Sequence, residues 1–368
     1  MRGLINYKII VIVLMFLFSN QLIIAENNHG NNKEENNKSE KFDPGTFIIH
    51  HVLDAYSWHI IGNIEIPLPI IIYNNNNKCI DVFLSNKLTG HGHETPSYKN
   101  YIIDHKTMSI ASLNDNGIID NNLTKNIYDF SITKNVLALF FSLLLMIFIF
   151  LQVAKSYINR KNKAPKGIQS LLEPIIIFIR DDIAKVAIGE KKHEKFLPYL
   201  LMIFFFIFIN NLMGLIPFFP GGANLTGNIT VTLALALFTF LITTFSGTKL
   251  YWGHIFNTPG VPWWLKLPIP LMPLVEFMGI LIKPFVLMVR LFANITAGHI
   301  IALGFFSLIF IFGKNGTDVG AGVGASALSV TFTVFMTVLE LLVAFIQAFV
   351  FTLLSALYFG SAVEEHHH

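Results

Sequence analysis

One arginine deep inside an apolar stretch limits the folds open to this chain. The stretch is Glu276–His299, EFMGILIKPFVLMVRLFANITAGH; as a membrane-crossing helix it puts Arg290 near the bilayer centre. A guanidinium stays charged at any physiological pH and costs from ~2.5 to more than ~10 kcal/mol in hydrocarbon. A membrane helix keeps such a group only where it faces a partner, a cavity or an ion path. Arg290 is therefore a candidate functional residue on physical grounds alone. Composition supports the membrane setting: 53% of residues are hydrophobic and 13% charged, against ~25% charged in ordinary globular domains. The net charge of +3 does not point to nucleic acid, because the basic residues cluster in loops beside the apolar runs. The single Cys79 excludes an intrachain disulfide and any multi-cysteine metal site. No cofactor is expected.

Residues 1–25 read as a secretory signal peptide, with Arg2 and Lys8, then IIVIVLMFLF, then a cut after Ala25. The apolar core is short for a span, which favours cleavage over an anchor helix. Residues 26–41, ENNHGNNKEENNKSEK, lack apolar side chains and are expected to be a disordered linker. Residues 42–130 differ in kind: WHIIGNIEIPLPIII and CIDVFLSNKL are β-branched runs broken by Pro, Gly and NNNN. They predict short strands in a small exported β-rich domain. Its HGHE at 91–94 lacks a third ligand at a defined spacing, so solvated loop histidines are the better reading and no metal site is expected.

From 131 to 368 the pattern is that of a membrane domain. A span at about 133–154 is followed by KSYINRKNKAPKG, whose basic residues mark the cytoplasmic end and leave the preceding domain outside. Residues 167–188 interleave Glu173, Arg180, Asp181, Asp182 and Lys185 with apolar residues, which suits one interfacial helix better than a span. Spans follow at about 196–216 and 228–246, then a loop with Trp252, Trp263 and Trp264 as interfacial anchors. Helices at about 271–312 and 325–360 exceed the ~20 residues a span needs and predict a tilted hairpin, with Pro284 able to kink the first. The fold class is thus all-α and polytopic, with five membrane-crossing helices and a cytoplasmic C terminus.

Few polar groups lie in the hairpin: Glu276, Lys283, Arg290, Asn294 and His299 on its first helix, Glu340 and Gln347 on its second. Residues seven apart return within ~20° of one helical face, so Glu276, Lys283 and Arg290 form a stripe and Asn294 stays near it. In an antiparallel hairpin, residues at equal depth have a nearly constant sum of numbers. Arg290 with Gln347 gives 637 and His299 with Glu340 gives 639, so one register satisfies both pairs. His and Glu at one depth can relay protons, whereas Arg290 cannot release its own. The pattern suits two offset aqueous half-channels separated by an arginine, with the carrying carboxylate supplied by a partner. Buried structural pairs gluing the helices are the plainer alternative.

LVEFMGILIKPFVLMVRLFANITAGHII, with ELLVAFIQAFVFTLLSALYFGSAVEEH, resembles subunit a of the F-type ATP synthases, as do NNLMGLIPFFP and GNITVTLALAL. The long N-terminal segment is similar to those of Bacteroidetes-type members. The resemblance implies a non-catalytic stator subunit of the rotary motor in the bacterial inner membrane, with the c-ring, peripheral-stalk b subunits and lipid as partners. It implies that Arg290 faces the c-ring carboxylates, with Asn294 and Gln347 as polar neighbours. Glu276 would line the cytoplasmic exit; His299 and Glu340 would line the outer half-channel. The last two are exchanged relative to many bacterial members, and Gly214 stands where some place an acid. A rival reading is a self-contained secondary transporter using Arg290 as counter-ion for an anionic substrate. It predicts inverted repeats, and the sequence has no such symmetry.

Overall fold

The computed structural model describes residues 43–45, 48, 52–61, 64–88, 96–104, 107–114, 116–160, 163–216, 219–256, 271–314 and 317–364. The signal, the linker, HGHE, Trp263, Trp264 and the terminal histidines lie outside them. The chain divides into two compact units: Ala55–Lys134 with Leu303–Thr333, and Asn135–Ala302 with the chain from Val334 onward and the short Val52–Asp54.

The first unit holds the strands. β1 (Ser57–Ile61) pairs antiparallel with β2 (Ile64–Pro67). β3 (Pro69–Asn74) is the centre of a sheet with β4 (Cys79–Leu84) and β7 (Ile127–Asp129) at its edges, both antiparallel to it. β5 (Tyr101–Asp104) pairs with β6 (Ser109–Ser112). Ile70, Ile72, Phe83, Tyr101 and Ile110 form the core. The Asp81 carboxylate accepts from Tyr101 Oη at 3.1 Å and pairs with Lys99. That carboxylate raises the Lys99 ammonium above its ordinary value, while burial raises the Tyr101 phenol.

Among the described residues five helices are long and apolar enough to cross a membrane: α1 (Lys134–Asn159), α3 (His193–Leu215), α4 (Ile229–Ser246), α6 (Leu271–Phe312) and α7 (Val319–Val363). Between the first two of these, α2 (Ile168–Phe178) continues through a π-helical turn, Ile179–Ala184, into one further turn, Lys185–Ile188. The π-helical turn buries Ile179, Ile183 and Ala184, while its Asp181 pairs with Arg180 and with Lys185 just beyond it. The segment predicted as an interfacial helix is therefore amphipathic. A short helix, α5 (Lys249–Phe256), stands where the sequence reads as loop.

α3 is the axis of the second unit. In its most apolar window 56% of residues are buried, against 11–22% for the other four long helices. Phe205 meets Phe150 of α1 at 5.0 Å, Phe196 stacks on Phe359 of α7 at 4.9 Å, and Tyr199 Oη lies 2.8 Å from Thr239 Oγ1 of α4. α2 and α7 cross so closely that a Cβ at Gly360 would collide with the Ala187 carbonyl.

α7 begins six residues before the expected 325. The glycines of VGAGVG read as loop, but Asp318 Oδ1 accepts from Ala321 N at 3.1 Å and caps a helix that includes them. Gly313 and Gly322 approach closely at the hairpin tip: a Cβ on Gly322 would lie 3.2 Å from Gly313 Cα. A side chain on either would part the two helices.

Candidate functional site

The polar residues of α6 and α7 separate into three places. Arg290 is exposed on α6, among the exposed apolar residues Val286 and Val289 and the exposed Ala293. It forms no ion pair or hydrogen bond with any described residue. Within the chain its charge acts electrostatically on the Tyr358 phenol.

One turn further, the chain encloses a cavity of about 340 Å³ lined by Asn294 and His299 of α6, Glu340 and Gln347 of α7, and Asn211 and Leu215 of α3 among others. The volume holds about ten waters at ~30 Å³ each. Glu340 packs against Gly298: a Cβ there would lie 2.8 Å from Glu340 Oε1 and 3.2 Å from its Cγ. The numbers 298 and 340 sum to 638, between the two sums expected from sequence. Glu340 Oε1 is buried without a hydrogen-bond partner among the described residues, a state that costs ~1–3 kcal/mol unless water fills it. On the other wall the His299 imidazole lies over Gly214, where a Cβ would come within 3.7 Å of Nε2. The missing side chain at 214 leaves room for the ring to approach the α3 backbone. Gln347 is 6% exposed, so its amide faces the cavity and not the outer flank.

Glu276 is remote from both. It is half-buried fourteen residues before Arg290, ~21 Å along a straight helix. It acts electrostatically on Lys283 and Tyr251. Lys283 Nζ stands 5.3 Å from the Tyr358 ring centroid. Both residues line a second cavity of about 10 Å³ with Tyr251, Thr239 and Thr243, room for about one water. The Tyr251 hydroxyl is buried there without a partner among the described residues.

The structure thus brings Asn294, His299, Glu340 and Gln347 to one cavity; Arg290, one helical turn before Asn294, and Glu276 are not among its lining residues. It also adds Asn211, which sequence reading passed over. Asn211 Oδ1 accepts from Thr226 Oγ1 at 2.5 Å and its Nδ2 donates to the Ala344 carbonyl at 3.3 Å. The available signal was an Asn pair, Asn210 and Asn211, in an otherwise apolar run: two polar groups that lipid would not tolerate unpaired.

A family model described as the ATP synthase A chain matches residues 136–360. The chain belongs to this family. The match runs from within α1 to within α7 and includes every residue of the three polar places. Residues 47–130 match a separate model, a domain of unknown function, DUF8433. Similar A chain family members include ATP synthase subunit a 2 of Chlorobaculum tepidum, 45% identical over 64% of this chain and 64% of its own length. ATP synthase subunit a of Chloroherpeton thalassium is 42% identical over 66% and 69%, and that of Chlorobium phaeobacteroides 38% over 75% and 79%. The chain therefore spans about two thirds to four fifths of the length of these relatives. Membership and the five long apolar helices together make it an integral membrane protein.

Proposed function

We propose that the chain is the proton-conducting stator subunit of an F-type ATP synthase membrane sector, working against a ring of c subunits and held by peripheral-stalk b subunits. The observation that carries this is the unpaired Arg290 on an apolar outer flank, one helical turn from a polar cavity. In this reading a proton enters the cavity from outside and passes the His299/Glu340 level. It neutralises a ring carboxylate that has come off Arg290. The neutral carboxyl then rotates through lipid and discharges towards Glu276, where Lys283, Tyr251 and the small cavity they line offer a path to the cytoplasm. Arg290 repels protons and holds the next carboxylate ionised, so the two half-channels never join. Asn294 and Gln347 supply uncharged hydrogen-bonding groups beside that switch, and catalysis of phosphate chemistry lies elsewhere in the complex. The N-terminal region stands on the outer side of the inner membrane and the C terminus in the cytoplasm.

Replacing Arg290 with Ala in the assembled complex tests the reading. Coupled ATP synthesis in proteoliposomes should vanish while passive proton leak rises. Preserved coupled synthesis rejects the role. A self-contained transporter would instead move its substrate without copurifying with a small proteolipid that carries one membrane carboxylate.

A further inference from the structure

The β3–β4–β7 sheet has two apolar faces, and the described residues cover only one. Ile70, Ile72 and Phe83 point inward; on the same side by register lie the two charged residues of these strands, Asp81, bound by Tyr101, and the exposed Asp129, which accepts from Tyr56 Oη at 2.6 Å. The register sets Ile71 opposite Val82 and Tyr73 opposite Ile80 on one side and Tyr128 on the other. Phe130 N donates to the Ile71 carbonyl at 2.9 Å, extending the same row. The outer face therefore presents Ile80, Val82, Leu84, Tyr128 and Phe130 with no charge among them. Ile80 is 68% exposed, Val82 62% and Phe130 66%. A sheet face in water alternates to polar residues; a contiguous apolar face is one that something covers.

The chain's path favours lipid as the cover. β7 runs into α1 with no free linker: Ile132 N donates to the Pro69 carbonyl at 3.1 Å and Lys134 N to the Ala55 carbonyl at 2.8 Å. Lys134 is already the first residue of α1, so Phe130 stands at most ~14 Å of extended chain from the membrane helix. The headgroup layer on each side of the hydrocarbon is ~5–8 Å deep, and aromatic side chains favour that depth. We propose that this sheet face docks on the outer headgroup layer of the same membrane, immersing its aromatic and aliphatic residues beside the start of α1. The inference needs α1 to cross the membrane, and does not depend on the proton-conducting role.

The test is a nitroxide depth measurement on the full-length chain in its assembled complex, in vesicles of phosphatidylethanolamine and phosphatidylglycerol. The background is Cys79→Ser, with labels at Val82→Cys, Phe130→Cys and, as an aqueous control in the β3–β4 turn, Asn76→Cys. Docking predicts that the labels at 82 and 130 gain oxygen collisions and lose collisions with an aqueous nickel chelate relative to the control. Nickel collisions equal to the control would place the face in water. Loss of both oxygen and nickel collisions would place a protein on it. Either result overturns the proposal. The labelled side chains are exposed, so the inward core is left intact and the measurement reads position, not folding.

Discussion

Replacing Gly298 with Ala separates stability from proton transfer. The new methyl carbon would stand 2.8 Å from Glu340 Oε1. Ordinary contact lies near ~3.5 Å, so the carboxylate must retreat by ~0.7 Å. The atom that moves is the far end of a flexible side chain, and Ala gains ~0.5–1 kcal/mol over Gly in a helix interior. Net stability should therefore stay within ~1 kcal/mol of the parent. Proton transfer is less forgiving: a displacement of ~1 Å can cost ~100-fold, so ~0.7 Å should slow loading by about 10-fold or more. The assay is ATP synthesis by proteoliposomes under an imposed pH gradient, beside thermal unfolding of the same complex. Gly304→Ala is the control, because a Cβ at 304 meets nothing within 4 Å; its rate should be unchanged. If Gly298→Ala unfolds like the parent and synthesises within twofold of its rate, the position of Glu340 does not govern the flux and the cavity is not the proton's route.

Phe359→Ala removes a fully buried ring stacked on Phe196 and edge-on to Tyr199; it should cost ~3–5 kcal/mol, seen as earlier thermal unfolding in detergent. Asn211→Leu deprives the Thr226 hydroxyl of its acceptor and should cost ~1–3 kcal/mol, together with a slower proton-driven rate. Arg180 first, then Lys185, hold the Asp181 carboxyl well below the usual carboxylate range. A depressed folded pKa stabilises above the unfolded value of ~3.9 and is lost only as pH falls through the folded one. The small difference in melting temperature between parent and Asp181→Asn should accordingly stay flat from pH 8 to pH 5; a steady decline across that range would contradict the pairing.

Much of the membrane region was legible because lipid admits few solutions. Apolar length announced all five long helices, and Glu340 against Gly298 falls on the register that the numbering sums of the hairpin imply. Harder to read were positions set by tertiary contact. Nothing local distinguishes Gly298 or Gly214 from other small residues; their meaning lies in the side chains that occupy the vacated space. Asn211 was masked by the apolar composition of the helix that carries it. The start of α7 was misjudged because glycine disfavours helix by ~1 kcal/mol each, a local preference that the Asp318 cap and the close approach at Gly313 override. β5, β6 and β7 are only three or four residues long, too short for alternation to stand out.

α6 is the least enclosed of the long helices, with 11% of its most apolar window buried. In the proposed assembly, docking a ring on that flank would mean squeezing out the acyl chains that otherwise solvate it. No drive from water helps this exchange, since lipid tails are as apolar as leucine. What favours the neighbour is the guanidinium, which hydrocarbon cannot satisfy and a carboxylate can. If the proposed ring docks there, one carboxylate would give way to the next past Val286, Val289 and Ala293 beside Arg290: a bearing surface with a single sticky point.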